Sequence, residues 1–107
     1  MNVTSTLYIK DNGRVGSAIL YGDLTVMKDH VVIHKSGAYN VHLYHLDKEF
    51  GKVIRMVSSN GLEWSMDGGK RKSIKVQLCT GDKVRFFCED YDTHLHTAWV
   101  LMIRSQT

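Results

Sequence analysis

The stretch Ala98-Trp99-Val100-Leu101-Met102-Ile103, "AWVLMI", is apolar at every position. In a strand successive side chains point to opposite faces, so Ala98, Val100 and Met102 share one face while Trp99, Leu101 and Ile103 share the other. Both faces therefore call for burial. A membrane helix needs about 20 apolar residues, far more than this run holds, and no other segment approaches that length. The stretch belongs inside protein, on a strand whose second face needs a cover.

Composition narrows the setting. The chain has 107 residues, which predicts one domain over residues 1–107 with a single core and leaves no room for a large enzyme around an enclosed cavity. Lys and Arg number 14 against 11 Asp and Glu, a formal charge of +3 spread along the sequence. That balance implies neither a nucleic-acid partner nor a polybasic membrane anchor. The start, Met1 to Thr6, has no basic segment followed by an apolar one, so the sequence predicts a protein made in the cytoplasm without a signal peptide. Asn2-Val3-Thr4 matches a glycosylation sequon, which without secretion is a chance match.

With 9 glycines and no proline, glycine supplies the punctuation. Asp11-Asn12-Gly13, Tyr21-Gly22-Asp23, Lys35-Ser36-Gly37, Asp47 to Gly51, Ser59-Asn60-Gly61, Asp67-Gly68-Gly69, Thr80-Gly81-Asp82 and Glu89 to Thr93 separate runs rich in Val, Ile, Leu, Tyr and Phe. The runs predict strands near 3–10, 14–21, 24–34, 38–46, 52–58, 62–66, 73–79, 84–89 and 95–104. None sustains a helical period. The expected fold is all-β, an antiparallel jelly-roll sandwich of eight to nine strands.

The two cysteines test one of these turns. Pairing Leu78 with Val84 in a hairpin sets Val76 opposite Phe86 and Ile74 opposite Cys88, with Cys88 facing inward and Cys79 outward. A disulfide between them is then excluded, and two free thiols suit a reducing compartment.

The stretch "HVVIHKSGAYNVHLYH" resembles the strand-turn-strand of the tumour necrosis factor-like jelly rolls, the superfamily that includes the complement globular heads. The matching strand is Gly37-Ala38-Tyr39-Asn40-Val41. "IKVQLCTGDKVRFFCED" resembles the same superfamily's L-x-x-G-D-x-V turn, carried by Leu78, Gly81, Asp82 and Val84, and "TAWVLMI" stands where its last strand stands. The resemblance runs over residues 24–103; the first 23 residues match none of its motifs. It implies the jelly-roll fold and a homotrimer in which one sheet packs against neighbouring subunits.

"AWVLMI" would then be a strand of the packed sheet, covered on its second face by partner copies. The other reading covers Trp99, Leu101 and Ile103 with the N-terminal strands of the same chain. With Tyr39, Val41 and Leu43 facing the core, alternation sends Asn40, His42 and Tyr44 outward, and Gln77 and Cys79 from their strand. The candidate oligomer interface is therefore Asn40, His42, Tyr44, Gln77, Cys79, Trp99, Leu101 and Ile103. These are mid-sized and mostly uncharged, which suits a surface where identical copies meet.

Chemistry is weighed against this. Six histidines, His30, His34, His42, His45, His94 and His96, invite a metal reading, and His94 and His96 share one face of an extended segment, but no cysteine sits at ligand spacing and His42 and His45 fall on opposite faces of one strand. Glu89 to Asp92 collects three carboxylates without a calcium motif. No nucleophile-and-base signature appears, so the sequence predicts no enzyme, no cofactor and no metal. Two functional classes remain. A small trimeric jelly roll of this kind looks like a virion component, a decoration, fibre-tip or tail protein of a virus or phage, with other virion proteins as partners. A ligand-binding module, reading a surface glycan through Trp64, Tyr91 and His94, is the alternative.

Overall fold

The computed structural model describes residues 2–9, 14–19, 22–46, 53–67, 73–89 and 98–105. Within them ten strands form, β1 (Asn2–Ile9), β2 (Val15–Ile19), β3 (Leu24–Val26), β4 (Val31–Ile33), β5 (Gly37–Leu46), β6 (Val53–Ser58), β7 (Glu63–Asp67), β8 (Ser73–Leu78), β9 (Lys83–Glu89) and β10 (Ala98–Ser105). Two five-stranded sheets result, the first in the order β2-β1-β10-β5-β8 and the second in the order β3-β4-β9-β6-β7. All pairings are antiparallel. From β4 onward the chain passes repeatedly between the sheets, which is the winding of a jelly roll.

Alternation builds the core between them. In β1 Ser5, Leu7 and Ile9 are buried, while Thr4, Thr6 and Tyr8 are partly exposed. In β5 Tyr39, Val41 and Leu43 turn inward, and in β10 Val100 and Met102 do the same. The second sheet supplies Leu24, Val31, Ile33, Met56, Met66, Val84 and Phe86. Val76 and Leu78 join from β8.

Two sequence expectations require correction. Residues 24–34 form two strands, β3 and β4, paired with Leu24 opposite Ile33 and Val26 opposite Val31. The chain turns where Met27 N–H donates to the His30 carbonyl at 2.8 Å, with Lys28 and Asp29 exposed. The strand count accordingly rises from eight or nine to ten.

The second correction concerns Leu78 to Val84, which is not a hairpin. β8 pairs with β5 in the first sheet, and β9 pairs with β4 and β6 in the second. Alternation predicted the inward side chains of both strands, but inward-facing residues can come from opposite walls of one core. The link is a corner: Gly81 takes φ +92°, Asp82 N–H donates to the Cys79 carbonyl at 3.0 Å, and Cys79 N–H donates to Asp82 Oδ2 at 2.9 Å. Gly81 N–H to the Ile33 carbonyl and Ile33 N–H to the Asp82 carbonyl, at 2.8 and 2.9 Å, fasten it to β4.

Candidate functional site

Since the ten strands make two layers, the outward face of the first sheet has no third layer over it among the described residues. β10 is its middle strand, and its register decides what surrounds AWVLMI. On the β1 side Thr4 lies opposite Ile103, Thr6 opposite Leu101 and Tyr8 opposite Trp99. On the β5 side Ile103 lies opposite Asn40 and Leu101 opposite His42, with an irregularity between Trp99 and Val100. β8 adds Ser73, Lys75 and Gln77 opposite His42, Asn40 and Ala38.

Trp99, Leu101 and Ile103 are each partly exposed, whereas Val100 and Met102 are buried at 0% and 1% exposure. The two faces of the strand thus have different covers. The intrachain core takes Val100 and Met102, and Trp99, Leu101 and Ile103 remain on the outward face. The N-terminal strand does not lie over them. β1 is bonded edge to edge with β10, and it meets this face through Tyr8, whose ring centre is 4.7 Å from that of Trp99 at a tilt of 53°.

Among the described side chains in the strands of this face Lys75 is the single charged one, with the exposed Arg14 at its edge just before β2. Near one end a shallow depression of about 140 Å³ is lined by Ala38, Asn40, Lys75, Ile103 and Ser105. Of the predicted interface residues, Asn40, His42, Gln77, Trp99, Leu101 and Ile103 are brought together here. Tyr44 has its backbone in β5, but its side chain lies outside the described residues. Cys79 is an exposed free thiol just beyond the end of β8, in the corner. The β1 residues Thr4, Thr6 and Tyr8 escaped the sequence reading. Their alternation with Ser5, Leu7 and Ile9 was visible, but nothing local says that β1 sits beside β10.

Of the three predicted glycan residues the structure describes one. Trp64 packs against the core from β7, and Tyr91 and His94 lie outside the described residues. His30 bonds Asp29 at 2.7 Å through Nδ1, and His34 bonds the Thr25 hydroxyl through Nε2. Among the described residues no group of three or more His, Cys, Asp or Glu side chains could hold a metal ion.

Behind this face lies a polar cluster that the sequence reading also missed. Arg104, next after Ile103, is paired with Asp23 from the turn before β3. Tyr39, opposite Arg104 in β5, donates its hydroxyl to the Lys35 carbonyl at 2.6 Å. Burial first, and then the Asp23 carboxylate, push the Tyr39 phenol up to about 12.

Comparison with known proteins gives a fold and no close relative. No family model and no curated protein matches the sequence. Seven solved chains match in structure. One, an Eiger TNF from S. frugiperda, superposes with a TM-score of 0.56 at 13% identity, over 98% of this chain and 93% of that one. The fold is that of a tumour necrosis factor-like jelly roll. The likeness takes in β1 and β2, the part of the TNF-like fold that no sequence motif had matched. Among the described residues no helix is long and apolar enough to cross a membrane.

Proposed function

We propose that this chain is a non-enzymatic structural assembly protein that works as a homotrimer built through the outward face of the first sheet. One observation carries the reading: Trp99, Leu101 and Ile103 stand in the middle of a nearly uncharged sheet face over which no described element lies. Taking such a side chain from exposed to fully buried contributes roughly 1.5–3 kcal/mol, and these partly buried ones contribute a share of that, so several in each of three copies together supply a stable contact. The scarcity of charge supports it as well, because a closed ring brings identical side chains near one another. The role extends to a virion component, which self-assembly of so small a jelly roll suits, and co-purification of the chain with intact particles tests that extension.

The assembly itself is tested by solution mass. Light scattering on the full chain is expected to give about three times the 12.2 kDa chain mass, and Leu101→Glu, which places a carboxylate on the face, is expected to give monomer or aggregate. A folded wild-type monomer at micromolar concentration overturns the proposal.

A further inference from the structure

The outward face of the second sheet is of the opposite kind. Along its middle strand β9, Lys83, Arg85 and Phe87 are exposed and alternate with buried Val84 and Phe86, so they leave the sheet on one side at a spacing of about 7 Å. On β6 beside it, Arg55 lies opposite Phe87 and Val57 opposite Arg85. The Arg55 guanidinium carbon is 5.0 Å from the centre of the Phe87 ring, a cation–π contact that holds the group over the sheet. Lys83, Arg85 and Arg55 therefore form a row of cations along the two inner strands.

Among the described side chains two carboxylates stand at its margins. Glu63 on β7 is 3.4 Å from Arg55. Asp29, in the turn between β3 and β4, is held below the usual carboxylate range by its His30 hydrogen bond first, and also by the charge of Arg85. Glu63 and Asp29 are both more than half exposed, at 55% and 59%, and ion pairs with such groups contribute only about 0–1 kcal/mol. A ligand bearing several anions outcompetes them.

We infer that this row binds a linear sulfated polysaccharide lying along β9, with successive sulfates on Lys83, Arg85 and Arg55. Charge complementarity and shape carry the assignment. An open sheet face accepts an extended chain whose charges repeat at intervals, and an arginine fork matches two oxygens of one sulfate. A single-stranded nucleic acid fits less well, because it needs an open aromatic face on which to stack its bases. Among the described residues of this face Phe87 is the single aromatic ring, 36% exposed with Arg55 beside it, so there is no series of rings for successive bases. The inference is independent of the homotrimer, since this face belongs to the other sheet; in a trimer, three such rows add avidity.

The test is titration calorimetry of the full chain with heparin at physiological salt. Wild type is expected to bind, and Lys83→Thr with Arg85→Thr, a pair that suits a strand, to weaken binding about tenfold or more. Arg55→Gln is expected to weaken it independently, with melting temperature confirming that each variant folds. Arg14→Thr removes a charge from an exposed position outside the row and is expected to leave affinity nearly unchanged. Absence of heparin binding overturns the inference. So does equal weakening by Arg14→Thr, which would make net charge the cause, or binding of a single-stranded DNA oligonucleotide as tight as that of heparin.

Discussion

Arg104 donates through Nε to Asp23 Oδ2 at 2.8 Å and through Nη2 to Asp23 Oδ1 at 3.3 Å. The pair ties the middle strand of the first sheet to the turn that enters the second. Both side chains are largely buried, with 12% and 6% exposure, and Lys35 Nζ reaches the same carboxylate from the surface at 4.0 Å. Asp23 also raises the guanidinium of Arg104 above its ordinary value by accepting its hydrogen bond. A Cβ at Gly37 would lie 3.4 Å from the Arg104 side chain, so Gly37 packs closely beside the arginine.

A buried pair is costlier to break on one side than to remove entirely, because the surviving charge loses its partner. Arg104→Met is therefore expected to lower the urea midpoint more than the double variant Arg104→Met with Asp23→Asn. Midpoint shifts that simply add in the double variant would show that the two groups are uncoupled.

Tyr39 gives a pH dependence with a definite sign. Its phenol stands at about 12 in the folded chain against an ordinary 10.0. Between these values the unfolded chain releases the proton while the folded chain keeps it, so stability is full below about pH 10 and falls as pH rises towards 12. Urea titrations from pH 8 to 11.5 are expected to show a steeper loss for wild type than for Tyr39→Phe. At pH 8 that variant loses the bond to the Lys35 carbonyl, about 0.5–1.5 kcal/mol.

Phe86 is 1% exposed and its strand lies beside Met56 of β6. Phe86→Ala leaves a cavity between the sheets and is expected to cost about 3–5 kcal/mol by chemical denaturation. A change below 1 kcal/mol would mean that the core closes over the gap.

At Gly81 the backbone alone sets the requirement. Its φ is +92°, and an added Cβ would meet no atom within 4 Å. Gly81→Val should lower stability by about 1–2 kcal/mol, and Gly81→Asn by less, since asparagine tolerates such backbone better. Equal melting temperatures for the two variants would contradict this.

Local pattern and tertiary pairing divide the structure between them. Alternation in the sequence determined which side chains of β5, β8 and β9 face inward, and split β10 into two sets, because a strand turns successive residues to opposite sides whatever lies beside it. In residues 24–33 the inward positions pass from even, Leu24 and Val26, to odd, Val31 and Ile33, but Met27 and Val32 are apolar as well, so the sequence alone does not show the break between β3 and β4. Sheet membership was decided by tertiary structure. Val76, Leu78, Val84 and Phe86 look the same in sequence whether their strands pair with each other or face each other across a core, and only long-range hydrogen bonds separate the two cases. The same holds for the opening stretch. AWVLMI by itself required two covers, but that β1 flanks β10 without covering it, leaving Trp99, Leu101 and Ile103 on the outward face, follows from a strand order that no local run of residues encodes.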